Sequence, residues 1–459
     1  MSMIKELTIS GYRGFGKEQT IKFAIPDNIK AGSGLTIITG ANNTGKTTII
    51  ESIQAFNGYA TPSFSEGKRN INAQSKVSIS LIDDQNKKCS ITSLPNRGSS
   101  TKRVPEEYTH KSYVIPSRRA VEYEFSNNLW DRDTFITEAN KLKNRRSPFL
   151  ETYEARIFQI ERMKPQFDEI IQEVLGTEFN WTIEQRDSGQ YYIKYIQDEI
   201  AHSSEGIGDG IWSVFTICAA FFDANPGDLI IIDEPELSIH PALQKRLLEL
   251  ILRYSKTMQI IICTHSPYFI DWNAIVNGAQ LLRIVKENGN TVCYSISETS
   301  RKKSSGVLHD LNNPHTLGLE ANEVFFCEDS VILVEGQEDV VIFKKIVDEL
   351  GMNIKGNFFG WGVGGAEKMR MFLQLFKDLG YKRIVAVLDG DKKDLADALK
   401  NEFNCFQILT LREDDIRDKN ERSIKAKTGI TKQNGKLKDE NREYMRNLIQ
   451  DINDFFVKQ

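Results

Sequence analysis

Cysteine is scarce in this chain and never paired in sequence. The six residues Cys89, Cys218, Cys263, Cys293, Cys327 and Cys405 stand singly, with no CxxC anywhere, and several lie in apolar runs such as Ile261-Ile262-Cys263. That spacing argues against a zinc ribbon or a disulfide framework and predicts reduced core thiols. Long apolar runs are missing too. No stretch approaches the roughly 18 uninterrupted apolar residues of a membrane helix, and the opening MSMIKELTISGYRGF has no apolar signal core. The expectation is a cytoplasmic chain without membrane association. Nor is there an excess of one charge: 59 Lys and Arg face 63 Asp and Glu, a net charge of −4. No field of the whole molecule draws it onto nucleic acid, so any such contact must come from a local patch.

With 40% apolar and 27% charged residues, the composition is that of a globular protein, neither disordered nor lipid-facing. At about 100 to 200 residues per domain, 459 residues predict two to four domains. No repeat at solenoid periods is visible.

Order along the chain points to an α/β class. Residues 1–56 read as two short strands, then the apolar run Leu35 to Thr39 feeding a glycine-rich turn and a helix. Residues 125–200 are charged, and Phe158, Ile160, Met163, Phe167, Ile170 and Ile171 recur at roughly helical spacing, which predicts a helical insertion. From 203 to 287, short apolar strands alternate with helices, the pattern of a parallel sheet covered on both faces. Periodicity is lost over 296–328, which carries SETSRKKSSG and reads as a linker. A second strand and helix alternation fills 329–459. Its end, Lys419 to Arg446, has nine Lys or Arg against four Asp or Glu. Such a tail suits either a grip on a phosphate backbone or a solvated helix face.

Gly40-Ala-Asn42-Asn43-Thr44-Gly45-Lys46-Thr47, followed by Thr48, fits GxxxxGK[ST] between a buried strand and a helix. Backbone N–H groups of such a loop curl around phosphate oxygens, and the helix N-terminus adds positive potential. ATP is therefore the expected ligand, with Lys46 on the β and γ phosphates and the Thr47 hydroxyl on Mg2+. Downstream, Leu229-Ile-Ile-Ile-Asp233-Glu234-Pro235 is an apolar strand ending in two carboxylates. Asp233 would complete the Mg2+ shell, and Glu234 would polarise the attacking water, a contribution of about 10² to 10⁴ in rate.

These two segments, with Ser204-Glu-Gly206 opening a helix and Thr264-His265-Ser266-Pro267 after a strand, resemble the ATPase heads of the ABC superfamily, in the branch shared by recombination ATPases and OLD-family proteins. The resemblance covers about residues 1–290. It implies that His265 contacts the γ-phosphate, that Ser238 lies in a segment crossing to a partner subunit, and that Ser204 and Gly206 close over ATP bound by the other copy. The protein should then be a homodimer or higher oligomer. SSEGIGDG departs from the LSGGQ of transporters, and Gln54 is a weak candidate for a glutamine loop. Tyr113-Val-Ile-Pro-Ser-Arg118-Arg119 also looks like a segment of OLD-family heads.

In the C-terminal third, Val331-Ile-Leu-Val-Glu335-Gly336 and Val385-Ala-Val-Leu-Asp389-Gly390-Asp391 are apolar strands ending in carboxylates. Carboxyl ends of neighbouring parallel strands share one edge, so Glu335, Asp389 and Asp391 are expected to converge there. Mg2+ takes oxygen ligands and retains waters, so a few carboxylates suffice, with Mn2+ an alternative. Strand-Glu-Gly and strand-DxD about fifty residues apart resemble the TOPRIM domain, and an ATPase head followed by TOPRIM is the layout of OLD-family proteins. That resemblance implies Glu335 as metal ligand or base, Asp389 and Asp391 as ligands, and an acidic contribution from Leu411-Arg-Glu413-Asp414-Asp415-Ile416. Glu338, Asp339 and Asp394 default to helix caps.

The expected architecture is an ABC-type P-loop head over 1–295 with its insertion, a linker over 296–328, and a smaller parallel-sheet TOPRIM domain over 329–459. The expected function is ATP-regulated, Mg2+-dependent cleavage of DNA or RNA, in a family with members in bacterial antiphage defence. Two rivals are a sensor or scaffold whose idle TOPRIM domain binds a separate effector, such as a toxin, a reverse transcriptase with its DNA or a helicase, and a repair ATPase that binds DNA without cutting. Which of Lys419, Lys425, Lys427 and Lys432 would stabilise a transition state stays open.

Overall fold

The computed structural model describes residues 3–57, 64, 68–71, 76–93, 101–106, 112–117, 131–134, 154–197, 200–203, 208–308, 316–326, 330–419 and 426–458. The chain divides into two compact units, Met1–Cys293 and Tyr294–Gln459. Each is considered by itself.

In the first unit, strands β1 (Ile4–Ser10), β2 (Gln19–Lys22), β4 (Ser78–Asp83), β5 (Lys88–Ser93) and β6 (Thr101–Val104) form an antiparallel sheet ordered β2-β1-β4-β5-β6. Burial alternates along β4 and β5, because one face of each strand packs on the core. A second sheet, ordered β14-β13-β3-β12-β11-β7, is built from β3 (Leu35–Thr39), β7 (Tyr113–Ile115), β11 (Leu229–Asp233), β12 (Gln259–Cys263), β13 (Gln280–Glu287) and β14 (Asn290–Ser295). From β13 to β7 its neighbours pair parallel. Every residue of β3, β11 and β12 is buried, so these strands are apolar but for Thr36, Thr39, Asp233 and Gln259. Ile49 and Ile53 of the helix Lys46–Gln54 share one apolar cluster with residues of both sheets. Gln259 fastens the sheets as well: its side chain accepts from Ile4 N at 2.8 Å and donates to the carbonyls of Ile4 and Ala24.

The insertion is only partly helical. Helices Glu154–Arg162 and Lys164–Leu175 are followed by an antiparallel sheet of β8 (Asn180–Gln185), β9 (Tyr191–Gln197) and β10 (Ile200–Ser203). Gly176, at φ 74°, stops the second helix, and the cross-strand pairs Trp181 with Tyr195 and Glu184 with Tyr192 fix the strand register. Met163, expected on an apolar helix face, is half exposed at the break between the two helices. Arg156 pairs with Asp223, and Arg246 donates to the carbonyls of Val174 and Leu175, tying the helices to the head.

The second unit centres on a parallel sheet ordered β16-β15-β17-β18, from β15 (Ser330–Val334), β16 (Asn357–Phe358), β17 (Arg383–Leu388) and β18 (Gln407–Thr410). The helices Gln337–Leu350 and Arg442–Lys458 share an apolar cluster with Ile332, Val334, Val385 and Val387. A small parallel pair, β19 (Asp415–Arg417) with β20 (Gly429–Thr431), follows the sheet. The stretch read as a linker is partly helical: Glu298–Leu308 buries Ser300, Ser304 and Val307. Its polar sequence hides this role, because Ser300 is buried by donating to Asp378 and Ser304 by donating to the Ser300 carbonyl.

Candidate nucleotide and metal sites

The phosphate loop joins β3 to the helix Lys46–Gln54 and needs three residues with positive φ: Gly40 at 146°, Asn43 at 62° and Gly45 at 119°. A Cβ on Gly40 would lie 2.3 Å from the carbonyl oxygen of Ile284, so glycine is required there for close approach as well as for conformation. Thr44 closes the turn by donating its hydroxyl to the Ala41 carbonyl at 2.8 Å. Lys46 is buried and folds over the loop, its Nζ 2.7 Å from the Gly40 carbonyl oxygen and 3.0 Å from that of Ala41. Burial lowers its pKa, against the pull of Cys263, Asp233, Glu234 and Glu236. Thr47 and Thr48 fall in the first helical turn and Asn42 is exposed in the loop.

Asp233 is the buried last residue of β11. Glu234 turns the chain away at φ 53°, a strained value for a residue with a side chain, and its N–H donates to the Cys263 carbonyl at 2.7 Å. His265 follows β12, and its Nε2 is buried without a hydrogen-bond partner. Burial and the Lys46 charge lower its pKa, so the imidazole is neutral at physiological pH. Sequence reasoning missed Glu236. Its carboxylate accepts from the Thr264 hydroxyl at 2.8 Å and from His265 N at 2.6 Å, and its only sequence signal is its place three residues after Asp233. Ser204, Gly206, Arg118 and Arg119 lie outside the described residues. Gln54 ends the first helix, and Ser238 has φ 62° in the turn after Glu234.

At the second rim, Glu335 leaves the end of β15 and Asp389 the end of β17, in adjacent strands. They meet: Asp389 N donates to Glu335 Oε1 at 2.9 Å. The approach of the chain here is close, since a Cβ on Gly362 would lie 2.7 Å from Gly336 Cα. Asp389 is buried, with Oδ1 lacking any hydrogen-bond partner, and its carboxyl is pushed up to about 9 by burial, then by Glu335, Asp339 and Asp415. Asp339 caps its helix by accepting from Gly336 N at 2.7 Å, as a cap should, yet burial and the neighbouring carboxylates push it up to about 7. Burial raises Glu335 as well.

Asp391 sits near enough to this pair for its charge to raise Glu335. It is held by Lys427 at 2.7 Å and lies 3.5 Å from Lys392; burial opposes its charge, but these ammonium groups outweigh burial and lower its pKa. Lys427 also reaches Asp415 at 3.4 Å, and Lys419 contacts Asp415 at 2.6 Å and Glu338 at 3.6 Å. Among the described residues, no three acidic, His or Cys side chains already form a group that could hold a metal ion. The donor set is nonetheless all oxygen, and the orphaned Asp389 Oδ1 among other carboxylates is the environment a divalent cation relieves. Asp415 was legible only as one acidic residue among several. Its place depends on pairing β19 with β20, which lies beyond local pattern.

A phosphate loop under a parallel sheet in one unit and an acidic rim on a smaller parallel sheet in the other define an ATPase head joined to a TOPRIM domain. The chain belongs to the family described as AAA domain, putative AbiEii toxin, Type IV TA system, whose model matches residues 35–271. Residues 325–391 match the overcoming lysogenization defect protein-like TOPRIM domain. Among curated relatives, the chain is similar to an OLD nuclease of Thermus scotoductus, at 30% identity over 34% of this chain and 30% of that protein. It is also similar to endonuclease GajA of Bacillus cereus, at 25% identity over 40% of this chain and 29% of the relative. A third is the Old nuclease of Escherichia phage P2, at 31% identity over 26% of this chain and 20% of the relative. The matches thus span less than a third of the length of these relatives. A solved SMC head domain from Thermotoga maritima aligns at 13% identity and TM-score 0.39, over 64% of this chain and 99% of that one. No helix among the described residues is long and apolar enough to cross a membrane.

Proposed function

We propose that the chain is an ATP-regulated, divalent-metal-dependent nuclease of the OLD type that cleaves DNA or RNA phosphodiesters, working as a dimer of heads in bacterial antiphage defence. The observation that carries the nuclease reading is Asp389, buried with a bare carboxylate oxygen beside Glu335. Glu335, Asp389 and Asp391 would hold Mg2+ or Mn2+. Such ions neutralise charge on the attacking and leaving oxygens of a phosphodiester displacement. The chain's own groups bring Glu335 and Asp389 together through the Asp389 N–H and hold Asp391 at the rim through Lys427. Those lysines also offer positive charge to a phosphate backbone on a chain whose net charge is negative.

In the head, Lys46 would leave the loop carbonyls for the phosphates of ATP, with Thr47 and Asp233 toward Mg2+. Glu234 polarises the attacking water, and neutral His265 has an unused ring nitrogen for the γ-phosphate. Sites of this class finish their assembly across two copies, which supports a homodimer or higher oligomer.

The test is cleavage of plasmid, single-stranded DNA and tRNA with Mg2+ or Mn2+, with and without ATP, on the parent and on Asp389→Ala. Cutting by Asp389→Ala at the parent's rate overturns the site. A second reading, an idle TOPRIM domain controlling a separate effector protein, draws support from the lysine pairs on Asp391 and Asp415. It predicts no divalent-dependent cutting by the parent under any nucleotide.

A further inference from the structure

His265 is fastened to the segment that follows Glu234 by a closed chain of hydrogen bonds. Glu236 accepts from the Thr264 hydroxyl with one carboxylate oxygen and from the His265 N–H with the other. The Thr264 hydroxyl in turn accepts from Ser266 N at 3.0 Å. Ser266 donates its hydroxyl to Gln244 Oε1 at 2.6 Å, and Gln244 returns to the segment by donating Nε2 to the Ile239 carbonyl at 2.7 Å. Two side chains, Glu236 and Gln244, therefore fix where residues 264–266 lie. Between the two anchor points, at Glu236 and Ile239, the chain turns outward: Leu237 is 40% exposed, an unusual place for a large aliphatic side chain, and Ser238 takes φ 62°. Gly210 packs against this turn, where a Cβ would lie 2.3 Å from the Ser238 carbonyl oxygen.

A carboxylate with both oxygens used on one three-residue segment is a lever. Where the Glu236 carboxylate lies therefore sets the His265 backbone and, through it, the direction of Nε2. We infer that Glu236 is a positioning residue that sets the placement of His265 for ATP turnover. This rests on the ATPase reading above and deepens it. Nucleotide binding is set mainly by the phosphate loop, where Glu236 is the last of the charges acting on Lys46; turnover is what the lever controls.

Two measurements on the full chain test this. In ATP hydrolysis, Glu236→Ala should lower kcat by about 10- to 100-fold, the range of a misplaced catalytic group, while the ATP affinity stays within about threefold. Glu236→Gln, which keeps one acceptor, should recover part of that loss. The double variant Glu236→Ala/His265→Ala should be no slower than His265→Ala, because groups acting as one unit are not additive. Additive losses, or a loss of ATP affinity that matches the loss of kcat, overturn the inference. The second measurement needs no hydrolysis: with 15N-labelled histidine, the ring signals of His265, assigned with His265→Ala, should shift in Glu236→Gln while those of His240 stay put. Unmoved His265 signals overturn the lever even if the chain proves inert toward ATP. A parent without turnover but with shifted His265 signals overturns only the ATPase reading.

Discussion

The two candidate sites solve the same problem in opposite ways. Both lie at the carboxyl ends of parallel strands, where neighbouring chain reversals bring polar groups to one rim. At the head, the cation is Lys46, and it rests on two carbonyl oxygens of its own loop. At the second rim, the lysines rest on carboxylates: Lys427 on Asp391 and Asp415, Lys419 on Asp415 and Glu338. The first arrangement sets a buried positive charge on neutral oxygens. In the second, lysines balance Asp391 and Asp415, while Asp389, its carboxyl pushed up to about 9, is held toward its neutral form.

The largest effect expected from breaking this contrast is at Asp389. Asp389→Ala should reduce divalent-dependent cleavage by about 10³ or more while phosphate release from ATP is unchanged, read by gel and by phosphate assay on one preparation. Parallel loss of both would show that the rims are not separate machines. Next, Lys46→Ala should weaken ATP binding and cut turnover by about 10² to 10³, since the phosphate charge loses its counter-ion. Cleavage should survive but stop responding to ATP.

A smaller change sharpens the contrast at the second rim. Lys427→Met removes the ammonium from Asp391 and Asp415 and should tighten Mn2+ binding by about 3- to 10-fold, measured by the free Mn2+ resonance, because an opposing charge is gone. Unchanged or weaker binding would mean that Lys427 organises these carboxylates instead of balancing them.

The smallest expected effect concerns pH. Burial raises the Glu236 carboxyl above its ordinary range, with Glu234 adding to it and the bonds from His265 and Thr264 opposing. The folded chain thus holds that proton more tightly than the unfolded chain. Stability from this group is full below the ordinary carboxylate pKa and falls as pH rises through the raised one. Glu236→Gln should flatten the decline in Tm across that interval by a few degrees at most, seen by thermal denaturation at stepped pH.

How much of this was legible follows from where each residue gets its meaning. The phosphate loop, Asp233-Glu234, Glu335 and Asp389 could be read because each sits at the end of a mainly apolar strand, buried but for Arg383 at the start of β17. The linker and the insertion were harder. In Glu298–Leu308, buried serines bonded to Asp378 and to backbone look polar in sequence, and after Gly176 a helix pattern gives way to the strand pairing of β8 with β9.

By itself, the sequence determined the α/β alternation around each site, the phosphate loop and the carboxylates at strand ends, since these follow from periodicity and chain reversal within a few residues. Tertiary structure decided which charges meet. Only folding brings Lys427 to Asp391, Asp415 to the neighbourhood of Asp389, and Glu236 to His265, because electrostatic interactions and hydrogen bonds depend on distance through space, to which position along the chain is no guide.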